Sequence, residues 1–284
     1  MDKTPSSGID PSQMFASPES AARWAETRAE RDERFHEATE LMLDLANIQP
    51  GNRVLDVAAG TGDQTLAAAR RVGPTGYVLA TDISPSMLEL AAAGARQAGL
   101  ANVETRMLDA RQLDLPPDSF NAAISRQGLM MIPNRAAALT GIRSALRPGG
   151  RLAAVVHAAP EKNPFHGLPQ TIAAQHCHVE TPTTDDPGMF ALGSADVLAG
   201  TFQEAGFREV TVRSVPHVRR FPTLDALVAE LRKGGIAVLR PLLARLSEEE
   251  QEATWTEITA AMGQFVTRDG VAVPGEVLVG VGTK

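Results

Sequence analysis

Short apolar runs alternate with longer amphipathic stretches over residues 53–158. "RVLDVA" (53–58), "GYVLATD" (76–82), "NVETRMLD" (102–109), the start of "SFNAAISRQGLM" (119–130) and "RLAAVVHA" (151–158) predict strands. Between them "DQTLAAARR" (63–71), "SPSMLELAAAGARQ" (84–97) and "NRAAALTGIRSAL" (134–146) predict helices. Ser84 suits a helix N-cap, Pro85 the first helical position, and Gly99 lies just past the end. Upstream, residues 18–47 are helical in pattern and stop at a Pro-Gly turn near 49–51. Strand–helix alternation of this kind calls for a parallel sheet with helices on both faces.

The alternation then breaks twice. Residues 159–193 are rich in Pro, His, Thr and Asp, with one short helical piece around "LPQTIAAQH". A helix (194–206) and a strand (208–215) resume the pattern. Residues 222–266 are helical again, with Leu224, Leu227, Val228 and Leu231 on one face. Ser247 and Glu250 form a capping box, and Trp255, Ile258, Met262 and Phe265 give the last helix its apolar stripe. "GEVLVGVGTK" closes the chain as a seventh strand, placed to hairpin back beside the sixth. The expected organisation is an arm over 1–17 and one α/β domain over 18–284, with insertions at 159–193 and 222–266. An apolar-faced insertion at 222–266 suits a wall for a partly apolar ligand, or a surface for a second copy of the chain as a homodimer.

Composition narrows the partners. A net charge of −7 with interspersed signs disfavours nucleic acid and anionic membrane surfaces. No run approaches a membrane span, and "MDKTPSSGIDPSQ" has no apolar core of a signal peptide. The single cysteine, Cys177, excludes an intrachain disulfide framework and fits a reducing, cytoplasmic setting.

The candidate chemistry gathers at the carboxyl ends of the predicted strands, where open α/β sheets bind ligands. The first strand–helix turn is "AAGTGDQT", in which Gly60 and Gly62 let backbone approach a ligand. A dinucleotide fingerprint would place a third glycine at position 65, where the chain has Thr65, and Asp63 would repel a pyrophosphate. Asp82 ends the second strand and suits a ribose diol; Asp109 ends the third, within reach of an adenine amine. Three rim carboxylates (Asp56, Asp82, Asp109), a glycine turn and no basic phosphate cradle suit a nucleoside bearing a cation. S-Adenosylmethionine is such a ligand.

"VLDVAAGTGDQT", "TDISPSML", "MLDA" and "LRPGGRL" together resemble the successive motifs of class I S-adenosylmethionine-dependent methyltransferases, closest to the UbiE/Coq5-like small-molecule group. The resemblance covers 40–158 strongly, and 194–215 with 275–283 more loosely. It implies a Rossmann-like, mostly parallel seven-stranded sheet in the order 3-2-1-4-5-7-6, strand 7 antiparallel. It further implies that Asp56, Ala58, Gly60 and Gly62 line the methionine and ribose side, and that Asp82 holds the ribose hydroxyls. Ile83 and Met87 then pack on adenine, Asp109 and Ala110 meet its amine and ring, and Ser125 and Arg126 face the methyl donor. Ala58 stands where many relatives carry glycine. The segments 159–193 and 222–266 match nothing in the quinone methyltransferases, so the C-, O- or N-nucleophile of the acceptor stays open.

His157, at the end of the fifth strand, is the candidate general base, against a structural role for a hydrogen-bonded histidine. Glu161 and His166 follow in the acceptor-side segment as lesser candidates. Arg126 could clamp a substrate carboxylate or hydroxyl, its rival role being a salt bridge to a rim acid; Gln127 is similarly placed. "QHCHVE" (175–180) lacks the spacing of a metal site, so no metal is expected. Trp24, Phe15 and the N-terminal helix are placed to close over the cofactor, or Trp24 to pack in the core. Rival functions are a cyclase or isomerase, or a binding protein, that uses S-adenosylmethionine without methyl transfer, and an NAD oxidoreductase, which Thr65 and Asp63 oppose.

Overall fold

The computed structural model describes residues 18–179, 187–235 and 239–284, with the side chains of 234 and 235 excepted. The expected arm over 1–17, with Phe15, lies outside the described residues, as does part of the insertion at 159–193. The strands are β1 (Arg53–Val57), β2 (Tyr77–Asp82), β3 (Val103–Met107), β4 (Phe120–Arg126), β5 (Leu146–His157), β6 (Arg208–Phe221), β7 (Val266–Thr267) and β8 (Gly270–Thr283). They form one sheet in the order β3-β2-β1-β4-β5-β8-β6, with the two-residue β7 paired to the start of β8. β1 to β5 run parallel, and β8 is antiparallel to both β5 and β6. This is the expected order, with the closing strand numbered eighth because β7 precedes it.

Eleven α-helices are described: α1 (Pro18–Glu26), α2 (Arg28–Arg34), α3 (His36–Leu45), α4 (Asp63–Val72), α5 (Pro85–Gln97), α6 (Arg135–Ala145), α7 (Pro164–His176), α8 (Ala195–Glu204), α9 (Leu224–Glu230), α10 (Leu239–Leu243) and α11 (Glu248–Met262). Local signals set several ends. The Ser84 hydroxyl accepts the Met87 N–H with Pro85 in the first turn, and Gly99 takes φ +68° after α5. Ser247 and Glu250 form the full capping box of α11. The single N-terminal helix expected over 18–47 is instead three, interrupted at Thr27 and Phe35.

Alternate residues of the buried strands serve two cores. Leu55, Val57, Leu79, Ala123, Ala154 and Val156 pack with α6 and α8 on one face. Val54, Val78, Ala122, Ile124, Ala153 and Val155 pack with α3 and α4 on the other. A third cluster stands apart from the parallel sheet. β5 stops at His157, opposite Val277, while β6 and β8 pair on as a two-stranded ribbon as far as Phe221 and Val271. Phe165 and Ile172 of α7, Leu227, Leu239, Trp255, Ile258 and Met262 pack on that ribbon through Val271 and Val273. The helical stretch at 222–266 therefore shares a core with α7, and both sit on the extension of the hairpin.

Candidate functional site

β-Strand register sorts the three carboxylates expected on one rim. Asp56 lies opposite Ala80, and Ala80 opposite Thr105, so Asp56 sits two residues below the level of Asp82 and four below Asp109. Asp56 is fully buried; it accepts hydrogen bonds from Gln64 Nε2 (3.0 Å) and Thr65 Oγ1, and burial pushes its pKa up to about 7. It pins the glycine turn to the first turn of α4 and does not reach the cleft above. The rim carboxylates reduce to Asp82 and Asp109.

Asp82 accepts the Gly60 N–H at 2.9 Å on one oxygen and the Ser84 N–H at 2.9 Å on the other. Burial raises its pKa, and the backbone N–H groups of Ser84, Gly60 and Ile83 oppose the rise. The remaining lone pairs face a cleft of ≈ 1000 Å³, solvent-open space included, which admits a ligand of nucleoside size. Ala58, Gly60, Ile83, Met87, Ala110 and Arg126 also line it, as expected from sequence. Asp109 lines it too, with its carboxylate held by the Arg111 guanidinium (2.7 Å) and backbone N–H (2.8 Å), which together keep its pKa low.

The two glycines of the turn do different work. A Cβ on Gly62 (φ +82°) would stand 2.7 Å from the Ala91 Cβ, so Gly62 lets α4 and α5 close on each other and faces away from the cleft. Gly60 (φ +56°) has room, its nearest neighbour being the Trp24 indole, 3.8 Å from where a Cβ would be. Ala58 also has positive φ (+56°), which costs an alanine and explains why glycine suits this position. Ser125 is fully buried beneath the cleft, and a Cβ on Gly128 would lie 2.4 Å from the Ala58 Cβ. Asp56, Gly62 and Ser125 thus support the cleft from below and do not line it.

Asp63 carries less repulsion than its sequence position suggests. Arg28 (3.0 Å), Arg31 (2.6 Å) and Arg126 (3.0 Å) all contact its carboxylate, and Thr61 donates to it as well. Its charge is compensated, so the argument from Asp63 against a diphosphate falls, and the one from Thr65 remains. Arg126 also donates to Thr39 Oγ1 at 3.0 Å; its 3.0 Å salt bridge is to Asp63 of the turn and not to one of the rim acids considered above. Arg31 ties in α1 as well: it donates to the Trp24 carbonyl and stacks over its ring at 4.3 Å. Trp24 thereby lies over Gly60 as part of the cleft wall, a contact the sequence suggested and could not assign.

His157 ends β5 on the same sheet face as Val155, which turns it toward Phe35 and away from the cleft. Its Nε2 stands 3.0 Å from the Gln127 amide nitrogen, and Gln127 does line the cleft, with a strained φ of +61°. Burial, with His217 and two guanidiniums nearby, pushes the His157 pKa down to about 3. His166, 5.4 Å away ring to ring, is likewise held well below its ordinary value. Glu161 sits on an exposed 3-10 turn (Pro160–Lys162) and does not line the cleft. Of "QHCHVE", His176 contacts Glu257 at 2.9 Å and Cys177 donates to the Leu242 carbonyl; no metal-binding group of His, Cys, Asp and Glu occurs among the described residues. Among those residues, no helix is long and apolar enough to cross a membrane.

Gln127, Arg31, His217 and Arg219 were missed or underweighted from sequence. Positive φ at Gln127 and the pairing of His217 with Gly275 leave no trace in local pattern.

Comparison with known proteins agrees with this geometry. The family described as "Methyltransferase domain" matches residues 48–189, half of the chain. The ubiquinone/menaquinone biosynthesis C-methyltransferase UbiE of Ectopseudomonas mendocina is 39% identical over 119 residues, 42% of this chain and 46% of that protein. UbiE of Pseudomonas aeruginosa is 36% identical over 122 residues, 43% of this chain and 48% of its own length. The chain thus spans about half the length of the curated relatives it matches. Among solved structures, YcgJ of Bacillus subtilis has a TM-score of 0.59 at 19% identity, covering 88% of this chain and 98% of its own. The [4+2]-cyclase SpnF has a TM-score of 0.52 at 20% identity, covering 87% and 80%. These two share the fold, which by itself does not fix the reaction. With the family match spanning β1 to β5, the glycine turn and all of the cleft lining but Trp24, half of the chain, the chain belongs to the class I S-adenosylmethionine-dependent methyltransferases.

Proposed function

We propose that the protein transfers a methyl group from S-adenosylmethionine to a small-molecule acceptor. Asp82 carries this proposal: a half-buried carboxylate at the end of β2, fixed by the Gly60 and Ser84 N–H groups and lining the cleft. Such a group is placed to accept both ribose hydroxyls. Ile83 and Met87 would pack on one side of the adenine and Ala110 on the other, while Asp109 would meet its amine. Gly60 and Ala58 would carry the methionine portion, with Trp24 covering it. Asp56, Gly62 and Ser125 keep a part in this scheme as supports of the same turn.

The bound sulfonium supplies an electrophilic methyl group. The protein's part is alignment of the nucleophile and exclusion of water, both strong effects for an in-line displacement. When bound, the donor would give up its S–CH₃ bond to the acceptor nucleophile and leave as the neutral thioether. A hydroxyl or amine acceptor also gives up a proton. His157 is the candidate to take it, by way of the side occupied by Gln127; an anionic group beside the imidazole would raise its basicity from about 3. UbiE is named for C-methylation in quinone biosynthesis, and this chain's acceptor half lies largely outside the matched stretch.

The test is incubation with methyl-labelled S-adenosylmethionine and a panel of phenols, carboxylic acids and amines, with S-adenosylhomocysteine release and labelled product both quantified. Labelled product above the protein-free rate supports the proposal. Tight S-adenosylhomocysteine binding with no transfer to any acceptor class would instead favour use of the cofactor without methyl transfer.

A further inference from the structure

Beyond Gln127, on the side away from the cleft, five side chains from four elements converge. His157 ends β5, His166 lies on α7, His217 and Arg219 lie on β6, and Arg34 ends α2. The His157 and His166 rings are 5.4 Å apart, Phe35 stands 5.2 Å from His217 and 6.1 Å from His157, and Phe165 lies 4.9 Å from His166. Arg219 stacks over Phe165 at 4.0 Å, and Arg34 over Phe35 at 4.8 Å. Gly275 makes room for this arrangement: a Cβ there would lie 2.1 Å from the His217 ring.

Five polar atoms of the cluster are unused. Arg34 Nε, His166 Nδ1 and both nitrogens of His217 are buried without a hydrogen-bond partner, and His157 Nδ1 has none within bonding distance, though the Asn163 side chain is near enough to act on the imidazole. His157 is 95% buried by exposure (5% remaining), so the lack is no surface effect. Buried groups of this kind are paired in native interiors, with protein, water or ligand. The charges are also lopsided. Among the described residues, Glu30 is the one carboxylate in ion-pair contact with either guanidinium, at 2.7 Å from Arg34 and 3.9 Å from Arg219. Glu30 is itself largely exposed, whereas the Arg34 and Arg219 side chains keep only 8% and 14% exposure. Glu230 acts on Arg219 only at longer range. Two nearly buried guanidiniums thus share one solvated acid, beside three imidazoles that burial keeps neutral.

A ligand with two features would satisfy these groups. An anion would accept from Arg34, Arg219 and an imidazole N–H, the fork geometry of guanidinium suiting a carboxylate. A flat body would lie beside Phe221, the partly exposed member of the stacked pair Phe165 and Phe221, whose rings are 5.7 Å apart and 7° from parallel. The location matters as much as the chemistry. Gln127 touches His157 on one side and lines the cofactor cleft on the other, so a molecule held here stands one side chain from the donor.

We propose that this cluster is the acceptor site and that it takes a planar carboxylic acid, its carboxylate seated between Arg34 and Arg219. The assignment rests on the methyl-transfer reading above and adds the acceptor's chemical class.

The experiment compares benzoate with its neutral isostere benzamide, and with inorganic phosphate, as probes of the full chain saturated with S-adenosylhomocysteine. Binding is followed by ligand-observed NMR and calorimetry. Benzoate is expected to bind at least about ten-fold more tightly than benzamide or phosphate, since a charged hydrogen-bonded pair is lost with the amide and the flat body with phosphate. Arg219→Gln is expected to erase the preference over benzamide and Arg219→Lys to restore part of it, with S-adenosylhomocysteine affinity within about two-fold of wild type in both. Equal binding of benzoate and benzamide, equal binding of phosphate, or no binding of any probe overturns the assignment. Should Arg219→Gln fail to fold, the wild-type ratio and Arg219→Lys decide the matter. Failure of the wild type to bind S-adenosylhomocysteine would instead strike the methyl-transfer reading itself.

Discussion

In and beneath the cofactor cleft the carboxylates take donors from the chain itself; around His157 several polar atoms have none. Asp56 accepts from Thr65 and Gln64, Asp63 from Thr61 and three arginines, Asp82 from Gly60 and Ser84. The His157 cluster leaves nitrogens of Arg34, His157, His166 and His217 unpaired. The first region is shaped before its ligand arrives and needs little rearrangement to bind. The second holds costs that only a ligand or ordered water relieves. A site for one invariant cofactor and a site for a particular acceptor can be built side by side in this way on one sheet.

The sharpest way to separate the regions is to damage one and read the other. Trp255→Ala removes a ring buried in the third core and is expected to cost about 3–5 kcal/mol in urea unfolding. S-Adenosylhomocysteine affinity, measured where the variant is still folded, is expected to stay within about two-fold; a large loss would mean that the halves are not independent. Asp63→Asn acts on the opposite side. It deprives Arg28, Arg31 and Arg126 of their shared carboxylate and is expected to cost about 3 kcal/mol of stability. Weakened cofactor binding should accompany it, because Trp24 and the glycine turn are tied together through Arg31. Gly128→Ala forces a Cβ to within 2.4 Å of Ala58, and a loss of about 1–3 kcal/mol is expected by thermal unfolding.

The smallest effect is a pH signature of the acceptor side. His157 and His217 are held at about 3 and about 4, below the ordinary 6.5, so the unfolded chain takes up protons that the folded chain refuses. Their share of stability is therefore present above pH 6.5 and lost as pH falls toward about 4. Asp56, raised from 3.8 to about 7, has the opposite sign: its share is present below 3.8 and lost as pH rises through about 7. Melting of His157→Gln against wild type isolates the first trend. The variant is expected to gain on wild type steadily as pH drops through that window; a constant difference would show that His157 is not held neutral.

The same division governs what the sequence revealed. Strands β1, β2, β4 and β5 and helices α4 to α6 were legible because their determinants are local: apolar runs buried on both faces, Ser84 with Pro85, the glycines of the first turn; the more exposed β3 was legible by its alternation. Asp82 followed from its place at a strand end. Asp56 misled because a strand-end acid and one two residues deeper look alike until register is known. On the acceptor side, β6 runs to Phe221 and β8 begins at Gly270, well past the pattern of either, since a two-stranded ribbon buries too little of each strand to mark them. His157, His166 and His217 meet only through tertiary packing, so no spacing in the chain announces them.

The most direct test of the account is calorimetric titration of S-adenosylhomocysteine into wild type, Asp82→Ala and Arg219→Gln. Wild type is expected to bind in the micromolar range. Asp82→Ala should bind about 100-fold more weakly, through loss of two charge-assisted ribose contacts, and Arg219→Gln should bind as wild type does. Unchanged binding in Asp82→Ala, or no binding by the folded wild type, would contradict the assignment of the cleft.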